Sequence, residues 1–377
     1  MVNVRFILSS LVFIFVYNGM LIYIGWNGWI WLQFLLIDLV EINLFVYSLM
    51  IIMLGYAYIL ARFIKGLPFL KIIGACWFAV IQYALLFLPL ANIAVLLTAF
   101  LGVDRGTSVI VTGWAVVTGF IFIFSYGIYN AYSPVIRSYQ ITIPKKGTNQ
   151  STLKIAVASD MHFGTLSGKA HLNRLVALIH GLKPDLILLP GDIIDDDPKP
   201  FVQKGMDQVM KELTAPMGVY GVLGNHEYYG GQIPQFIKLM NDIDIKILQD
   251  EIIELKGQCY LVGRKDKTDK KRKSIKQLVK ELNHDLPIIM MDHQPFQLDD
   301  AMKNKVDVIV SGHTHRGQMA PNHLITKRMY ELDWGYKKKE QLHAFVSSGF
   351  GFWGPPIRLG SRSEIVVIDL VFKKDSV

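Results

Sequence analysis

The sequence predicts two kinds of structure in one chain. A helical membrane domain of about four spans occupies residues 1–137, and an α/β layered domain occupies residues 138–377. Three observations predict this. Charge is uneven: up to Arg137 there are six Lys/Arg and three acids, against 33 and 28 over the remaining 240 residues. The positive mean hydropathy of the chain therefore comes from its first third, and a membrane is the environment that fits it. Beyond residue 137, short apolar runs alternate with helical patterns, as in a layered α/β domain. Finally, five of those runs each end in Asp, Asn or His.

In the first part, Phe6 to Ile24 reads as a spanning helix. It is too long for a signal-peptide core and lacks a small-residue cleavage site, so it is an anchor. Trp26, Trp29 and Trp31 cluster where an aromatic belt would sit. Further spans are expected at Ile37 to Leu60, Phe69 to Leu90 and Val109 to Tyr129, with Ala91 to Val103 prolonging the third or lying in the interface. Arg5, Arg62, Lys65, Lys71, Arg137, Lys145 and Lys146 all fall on one side of such a four-span arrangement, and Arg105 alone on the other. Positive residues favour the cytoplasmic side, which places both termini and the second domain there, in a bacterial plasma membrane. Asp38 and Glu41 are expected at a helix end in the interface.

In the second part, strands are expected at Ser138 to Ile143, Leu153 to Ala158, Leu186 to Leu189, Val219 to Leu223, Ile245 to Leu248, Gln258 to Val262, Ile288 to Met291, Val306 to Val310, Ala344 to Ser347 and Ile365 to Phe372. Helices are expected at Ala170 to Leu182, Phe201 to Leu213, Ile233 to Asn241 and Ser274 to Leu282. Lys265 to Lys276 carries seven basic residues. It reads as a solvated loop entering a helix, or else as a patch for anionic headgroups.

Two cysteines, Cys76 and Cys259, form neither a disulfide framework nor a Cys zinc site. The net charge of +8 fits anionic lipid surfaces. No aromatic-basic nucleic-acid motif is present, so no nucleic-acid partner is expected, and membrane lipids are. There is no phosphate-binding Gly-x-x-x-x-Gly-Lys loop and no Gly-x-Ser-x-Gly elbow, which leaves nucleotide-driven and serine chemistry without support.

The chemistry gathers at five strand ends: Ser159-Asp160-Met161-His162, Gly191-Asp192-Ile193-Ile194-Asp195, Gly224-Asn225-His226-Glu227, Asp292-His293-Gln294-Pro295 and Gly312-His313-Thr314-His315. Each alone has a bland reading as a turn or a satisfied structural residue. Sheets of this class place ligands at strand C-termini, so the five sets should meet in one crevice. In β-like geometry past a strand, His313 and His315 would point the same way. Carboxylate, imidazole and one amide together suit Mn first, with Zn or Fe as alternatives, over Mg or Ca. Seven candidate ligands exceed one ion's needs, which implies two divalent ions. At about 3.5–4 Å apart, such ions clamp a phosphoryl group and activate a water.

This motif set resembles the calcineurin-like metallophosphoesterases, over about Tyr139 to Leu370. The resemblance implies a four-layer sandwich of two mixed β-sheets flanked by helices, with a dinuclear centre. By motif, Asp160, His162, Asp192 and His315 would hold one ion. Asp192, as a bridge, with Asn225, His293 and His313 would hold the other. His226 would be the acid that protonates the leaving oxygen or would stabilise the transition state, and Asp195 and Glu227 would orient ligands or His226. The tail Gly349-Phe350-Gly351-Phe352-Trp353-Gly354-Pro355-Pro356-Ile357-Arg358 resembles a bacterial membrane-associated branch related to lipid-A-precursor pyrophosphatases. Arg316 stands where that branch commonly has Gly. Arg316 and Arg358 are candidates to bind a substrate phosphate. Phe350, Phe352 and Trp353 are core filler or, if exposed beside the site, a contact for an acyl or isoprenoid chain.

The expected function is hydrolysis of a phosphoester or pyrophosphate bond in a lipid or lipid-linked substrate. The alternatives are the same chemistry on a soluble nucleotide or cyclic dinucleotide, with the spans as sensor or tether, and a non-catalytic metal-bound scaffold.

Overall fold

The computed structural model describes residues 4–36, 43–64, 67–145 and 152–372. Asp38, Glu41, Lys65 and Lys146 lie outside the described residues. The chain divides into two compact units, Met1–Ser125 and Tyr126–Val377.

The first unit holds α1 (Val4–Leu35), α2 (Leu44–Phe63), α3 (Pro68–Phe100) and most of α4 (Arg105–Tyr132). By length and composition all four could cross a membrane. The three expected belt tryptophans continue α1 rather than following it, because nothing between Ile24 and Leu35 breaks the helix. Ala91 to Phe100 prolongs α3 past Pro89, which the helix accommodates. α2 and α3 approach closely: a Cβ on Gly74 would meet the Tyr58 backbone nitrogen at 2.2 Å, the small-residue contact by which helices pack in lipid.

The second unit begins inside α4 rather than after Arg137. The Asn130 side chain donates to the Arg358 carbonyl, and the Tyr132 ring packs edge-on against His171 and Phe352. In chain order it then runs β1 (Val135–Ile143), β2 (Thr152–Val157), α5 (Lys169–Leu182), β3 (Leu186–Pro190), α6 (Pro198–Gln203), α7 (Met206–Met210), β4 (Val219–Val222), α8 (Asn225–Gly230), α9 (Ile233–Asn241), β5 (Ile245–Leu248), β6 (Glu251–Leu255) and β7 (Cys259–Gly263). There follow α10 (Ile275–Val279), β8 (Ile288–Met291), α11 (Leu298–Lys303), β9 (Val308–Ser311), α12 (His323–Met329), β10 (Gly335–Lys339), β11 (Leu342–Val346) and β12 (Glu364–Phe372). The helix expected from Phe201 to Leu213 is two, because Gly205 between them adopts a φ of 60°.

The strands form two mixed six-stranded sheets, ordered β1-β12-β2-β3-β4-β5 and β10-β11-β9-β8-β7-β6. Successive side chains of a strand face opposite ways, which sorts the apolar residues into layers. Leu186 and Leu188 face inward and pack with Leu261, Ile289 and Val310 of the other sheet. Ile187 and Leu189 face outward onto Leu172, Leu175 and Ile179 of α5. In the second sheet, Ile288 and Met290 turn to Ile275 of α10 and Leu298 of α11. Both faces of the central strands are buried, hence their unbroken apolar sequences. The outcome is the expected sandwich, helix–sheet–sheet–helix.

Candidate metal centre

The C-terminal ends of β2, β3 and β4 in one sheet and of β8 and β9 in the other open onto a single crevice. All seven candidate donors are there. Asp160, His162 and His315 have ligand atoms within 4.8 Å of one another, and so have Asp192, His293 and His313. The Nε2 atoms of His162 and His315 face each other at 3.0 Å. Asn225 Oδ1 lies 3.0 Å from His293 Nε2 and 2.8 Å from His313 Nδ1. Asp192 Oδ2 sits between the clusters, 3.1 Å from His293 Nε2 and 3.8 Å from His162 Nε2.

His313 and His315 serve different clusters, contrary to the β-like expectation. The loop leaves β9 with His313 at φ 71° and His315 at φ 47°, separated by a helical Thr314, so the two rings diverge. Asp160, His162 and Asp192 are also left-handed, at φ 50°, 45° and 50°. Non-glycine residues occupy that region at a cost that surrounding structure must offset, and such positions gather at functional sites. The glycines of the motifs have a steric role. A Cβ on Gly224 would meet the Asp192 backbone nitrogen at 2.4 Å, and one on Gly312 would meet Asp160 Oδ2 at 2.0 Å.

These donors fit divalent cations. Asp160 Oδ2 is buried and has no hydrogen-bond partner among the described residues, a costly state unless something else satisfies it. His293 Nδ1 lies 2.8 Å from the Pro190 carbonyl and donates to it, which fixes the tautomer and turns the Nε2 lone pair into the site. Burial lowers the pKa of His162 to about 4 and of His313 to about 4, and His315 falls well below its usual value. Neutral imidazole is the form that binds metal. Burial would lower His293, but the Asp192 carboxylate more than offsets it and raises the imidazole well above its usual value. Burial likewise works to raise Asp192, and His293 holds it below the usual carboxylate range. The proton on His293 answers Asp192 where a cation would. Asp160 is raised to about 6, by burial first and then by Asp192.

His226 projects from α8 beside the first cluster, its ring 4.7 Å from that of His162. Its Nδ1 lies 2.7 Å from Asp196 Oδ1. Burial would lower its pKa, but the Asp196 hydrogen bond and the charges of Asp192, Asp196 and Asp195 raise it to about 9. Cations in the neighbouring clusters would pull that value back down.

Two expected roles are narrowed and two need correction. Asp195 and Glu227 are expected to orient ligands or His226. Asp196 meets His226 Nδ1 directly, and Asp195 lies with His162 and His226 in a third acid–imidazole group. The Glu227 carboxylate accepts from the backbone nitrogens of Asp192, Ile193, Ile194 and Gly224 at 2.7–3.1 Å, so it shapes the loop carrying Asp192. Arg358 is fully buried and donates to the Gly349 and Gly351 carbonyls and the Ser361 hydroxyl, with Nη2 3.3 Å from His315 Nδ1. It buttresses His315 and is not open to a substrate. The Arg316 guanidinium lies over the Trp334 ring at 4.0 Å instead of reaching into a cluster. In the tail, Phe350 and Phe352 are core, whereas Trp353 is 57% exposed with its ring 6.1 Å from His226.

The basic stretch splits as well. Lys267, Lys270, Lys271, Lys273 and Lys276 are exposed, while Arg272 turns inward to Asp292 and Gln297. Asp292 also pairs with the buried Arg264 at 2.5 Å, directly before His293 in sequence. Sequence reasoning missed Arg264, whose signal was only a lone Arg ending an apolar strand.

Two sheets delivering carboxylates, imidazoles and an amide to one crevice around a shared Asp are the arrangement of a metallophosphoesterase. Comparison with known proteins agrees. Residues 153–317, which include all seven donors, match the family model for calcineurin-like phosphoesterases. An uncharacterised metallophosphoesterase of Aquifex aeolicus is 30% identical over 248 residues, 62% of this chain and 91% of that protein. A Caenorhabditis elegans protein named as a metallophosphoesterase is 31% identical over 273 residues, 68% of this chain and 56% of that one. A transmembrane protein with a metallophosphoesterase domain from Danio rerio is 27% identical over 261 residues, 65% of this chain and 59% of that one. The chain belongs to the calcineurin-like phosphoesterase family. It spans only 56% and 59% of the length of the Caenorhabditis elegans and Danio rerio relatives.

Proposed function

We propose that this chain is a membrane-bound, metal-dependent phosphoesterase that hydrolyses a phosphoester or pyrophosphate bond in a lipid or lipid-linked substrate. The observation that carries the reading is the convergence of seven donors on two clusters sharing Asp192, with the His226–Asp196 pair beside them. Two divalent ions, Mn first given the mixed donors, would polarise a phosphoryl group and lower the pKa of a water. The chain's own residues do the rest. Asp160, His162 and His315 would grip one ion, and Asn225, His293 and His313 the other, with Asp192 reaching both. His226, charged through Asp196, would hand its proton to the departing oxygen. General acids of this kind are worth roughly 10²–10⁴ in rate.

Support for a lipid comes from Trp353 and Tyr229, both exposed with rings 6.1 and 5.6 Å from His226. It comes also from four apolar helices, more than simple anchoring needs. The distribution of Lys and Arg favours a cytoplasmic catalytic domain in a bacterial plasma membrane. A second reading, a soluble nucleotide or cyclic dinucleotide, has its own support. Tyr330 packs 6.2 Å from His313 and lies tilted against the exposed Phe296 at 4.7 Å, an aromatic pair suited to a base.

Mass spectrometry of a total lipid extract incubated with Mn-loaded protein, against a His226→Ala control, tests the reading. One phosphorylated lipid should disappear with the unmutated protein only. No lipid change alongside cleavage of a soluble diester would move the substrate to the second reading. Biological function retained by His226→Ala would favour a metal-bound scaffold.

A further inference from the structure

α12 is a feature that the metal centre does not use. None of its seven residues is buried. Leu324, Ile325 and Met329 are 62%, 59% and 60% exposed, and Lys327 and Arg328, also exposed, fill its last turn. Three large apolar side chains grouped on a two-turn surface helix form the kind of patch that marks an interaction site.

The helix is firmly mounted. Thr326 Oγ1 donates to Asp333 Oδ2 at 2.8 Å, and the Ala320 N–H donates to the Leu359 carbonyl at 2.8 Å. Gln318, just upstream, donates to the Trp353 carbonyl at 2.8 Å and accepts from the Trp353 N–H at 2.9 Å. α12 and the exposed Trp353 are thus braced on one pair of loops. The same loops receive the end of α4: the Arg358 N–H donates to the Gly127 carbonyl at 2.9 Å, and Asn130 Nδ2 to the Arg358 carbonyl at 3.1 Å.

We propose that α12 and Trp353 form a docking element for the bilayer that holds the apolar helices. Leu324, Ile325, Met329 and Trp353 would enter the interfacial layer while Lys327 and Arg328 meet anionic headgroup phosphates. The occupant follows from three points. The loops that mount α12 also hold the end of a helix apolar enough to cross a membrane, so the chain brings a bilayer with it. Apolar side chains beside two cations are what an anionic leaflet takes up. And four side chains fall far short of the roughly 20–30 residues a side that a stable protein interface uses. Docking would turn the opening beside His226, where Trp353 stands, toward the lipid surface.

The inference rests on the lipid reading above, yet the two can fail separately. In full-length protein with Cys76 and Cys259 replaced by Ala, an environment-sensitive dye is placed on Leu324→Cys or, as control, on the exposed Lys211→Cys. Both are reconstituted in nanodiscs of phosphatidylcholine and phosphatidylglycerol. The Leu324→Cys dye should emit to the blue and be quenched by doxyl-labelled lipids several-fold more than the control. Emission as solvent-like as the control would overturn the docking, and blue-shifted emission that doxyl lipids leave unquenched would assign the patch to a protein partner or a second copy. Next, Leu324→Glu/Ile325→Glu/Met329→Glu should slow the lipid substrate about tenfold or more, given what three apolar side chains gain on leaving water. Hydrolysis of bis-p-nitrophenyl phosphate should stay within about twofold, which shows that the variant folds. Equal rates on the lipid substrate would contradict the proposal. Quenching without consumption of any lipid would remove the lipid reading and leave the docking standing.

Discussion

At the scale of single residues, the centre is built as much by what orients the donors as by the donors. Glu227 gathers four backbone N–H groups and so fixes the turn that presents Asp192. Arg358 spends its guanidinium on two carbonyls, a hydroxyl and the flank of His315. Asp196 has the most direct consequence, because its carboxylate meets His226 Nδ1 at 2.7 Å. Asp196→Asn keeps the shape and removes a charge that raises the His226 pKa. The rate on a soluble diester should fall about 10–100-fold, as for other groups that orient a reacting residue. The sign of the pH effect is fixed as well. The protonated imidazole is the active form, so a lowered pKa moves the alkaline fall in rate to lower pH. A kinetic pH profile with that limb unmoved would remove Asp196 from the proposed role. The sequence Asp195-Asp196-Asp197 could not say which of three neighbouring acids turns to His226, since the choice depends on one backbone torsion. Nor could it separate a buried Arg358 from one open to substrate. The motif donors were legible because they are tied to strand ends by short fixed spacings.

At the scale of elements, the strands were readable and the loops were not. Buried strands such as Ile288–Met291 advertise themselves as unbroken apolar runs, and their ends came within about two residues of the expected positions. β6 and β10 went unread: both are edge strands, Glu251–Leu255 is mostly exposed with two glutamates and Gly335–Lys339 carries three lysines, so neither has the apolar signature of a central strand. α12 was invisible for the opposite reason, having no buried face to impose a period. The divergence of His313 and His315 was misread because left-handed torsions at non-glycine residues follow from tertiary packing. The glycines that permit that packing can be tested directly. Gly224→Ala puts a Cβ 2.4 Å from the Asp192 backbone nitrogen, which forces the β4–α8 turn away from the β3 turn. The folded variant should bind about one ion fewer per chain and lose most activity, with its far-ultraviolet circular dichroism unchanged. Full metal content and activity would show that the turn yields without harm.

At the scale of the whole molecule, the account joins a hydrolytic centre to a set of apolar helices. Under the proposed reading, the Lys and Arg distribution would put that centre on the cytoplasmic side. Cys259 cannot report on it, since burial leaves the thiol inaccessible and pushes its pKa up to about 12. A cysteine at the exposed Lys211 should therefore resist membrane-impermeant maleimide in intact cells and react after lysis; labelling from outside would reverse the assignment. The central claim, a dinuclear hydrolytic site shared through Asp192, is tested most directly by counting metal in the purified full-length protein after Mn loading and desalting. The account predicts close to two ions per chain, falling to about one or none in Asp192→Ala, with diester hydrolysis lost in step. Wild-type protein that hydrolyses the diester while holding one ion, or Asp192→Ala that keeps two, would contradict it.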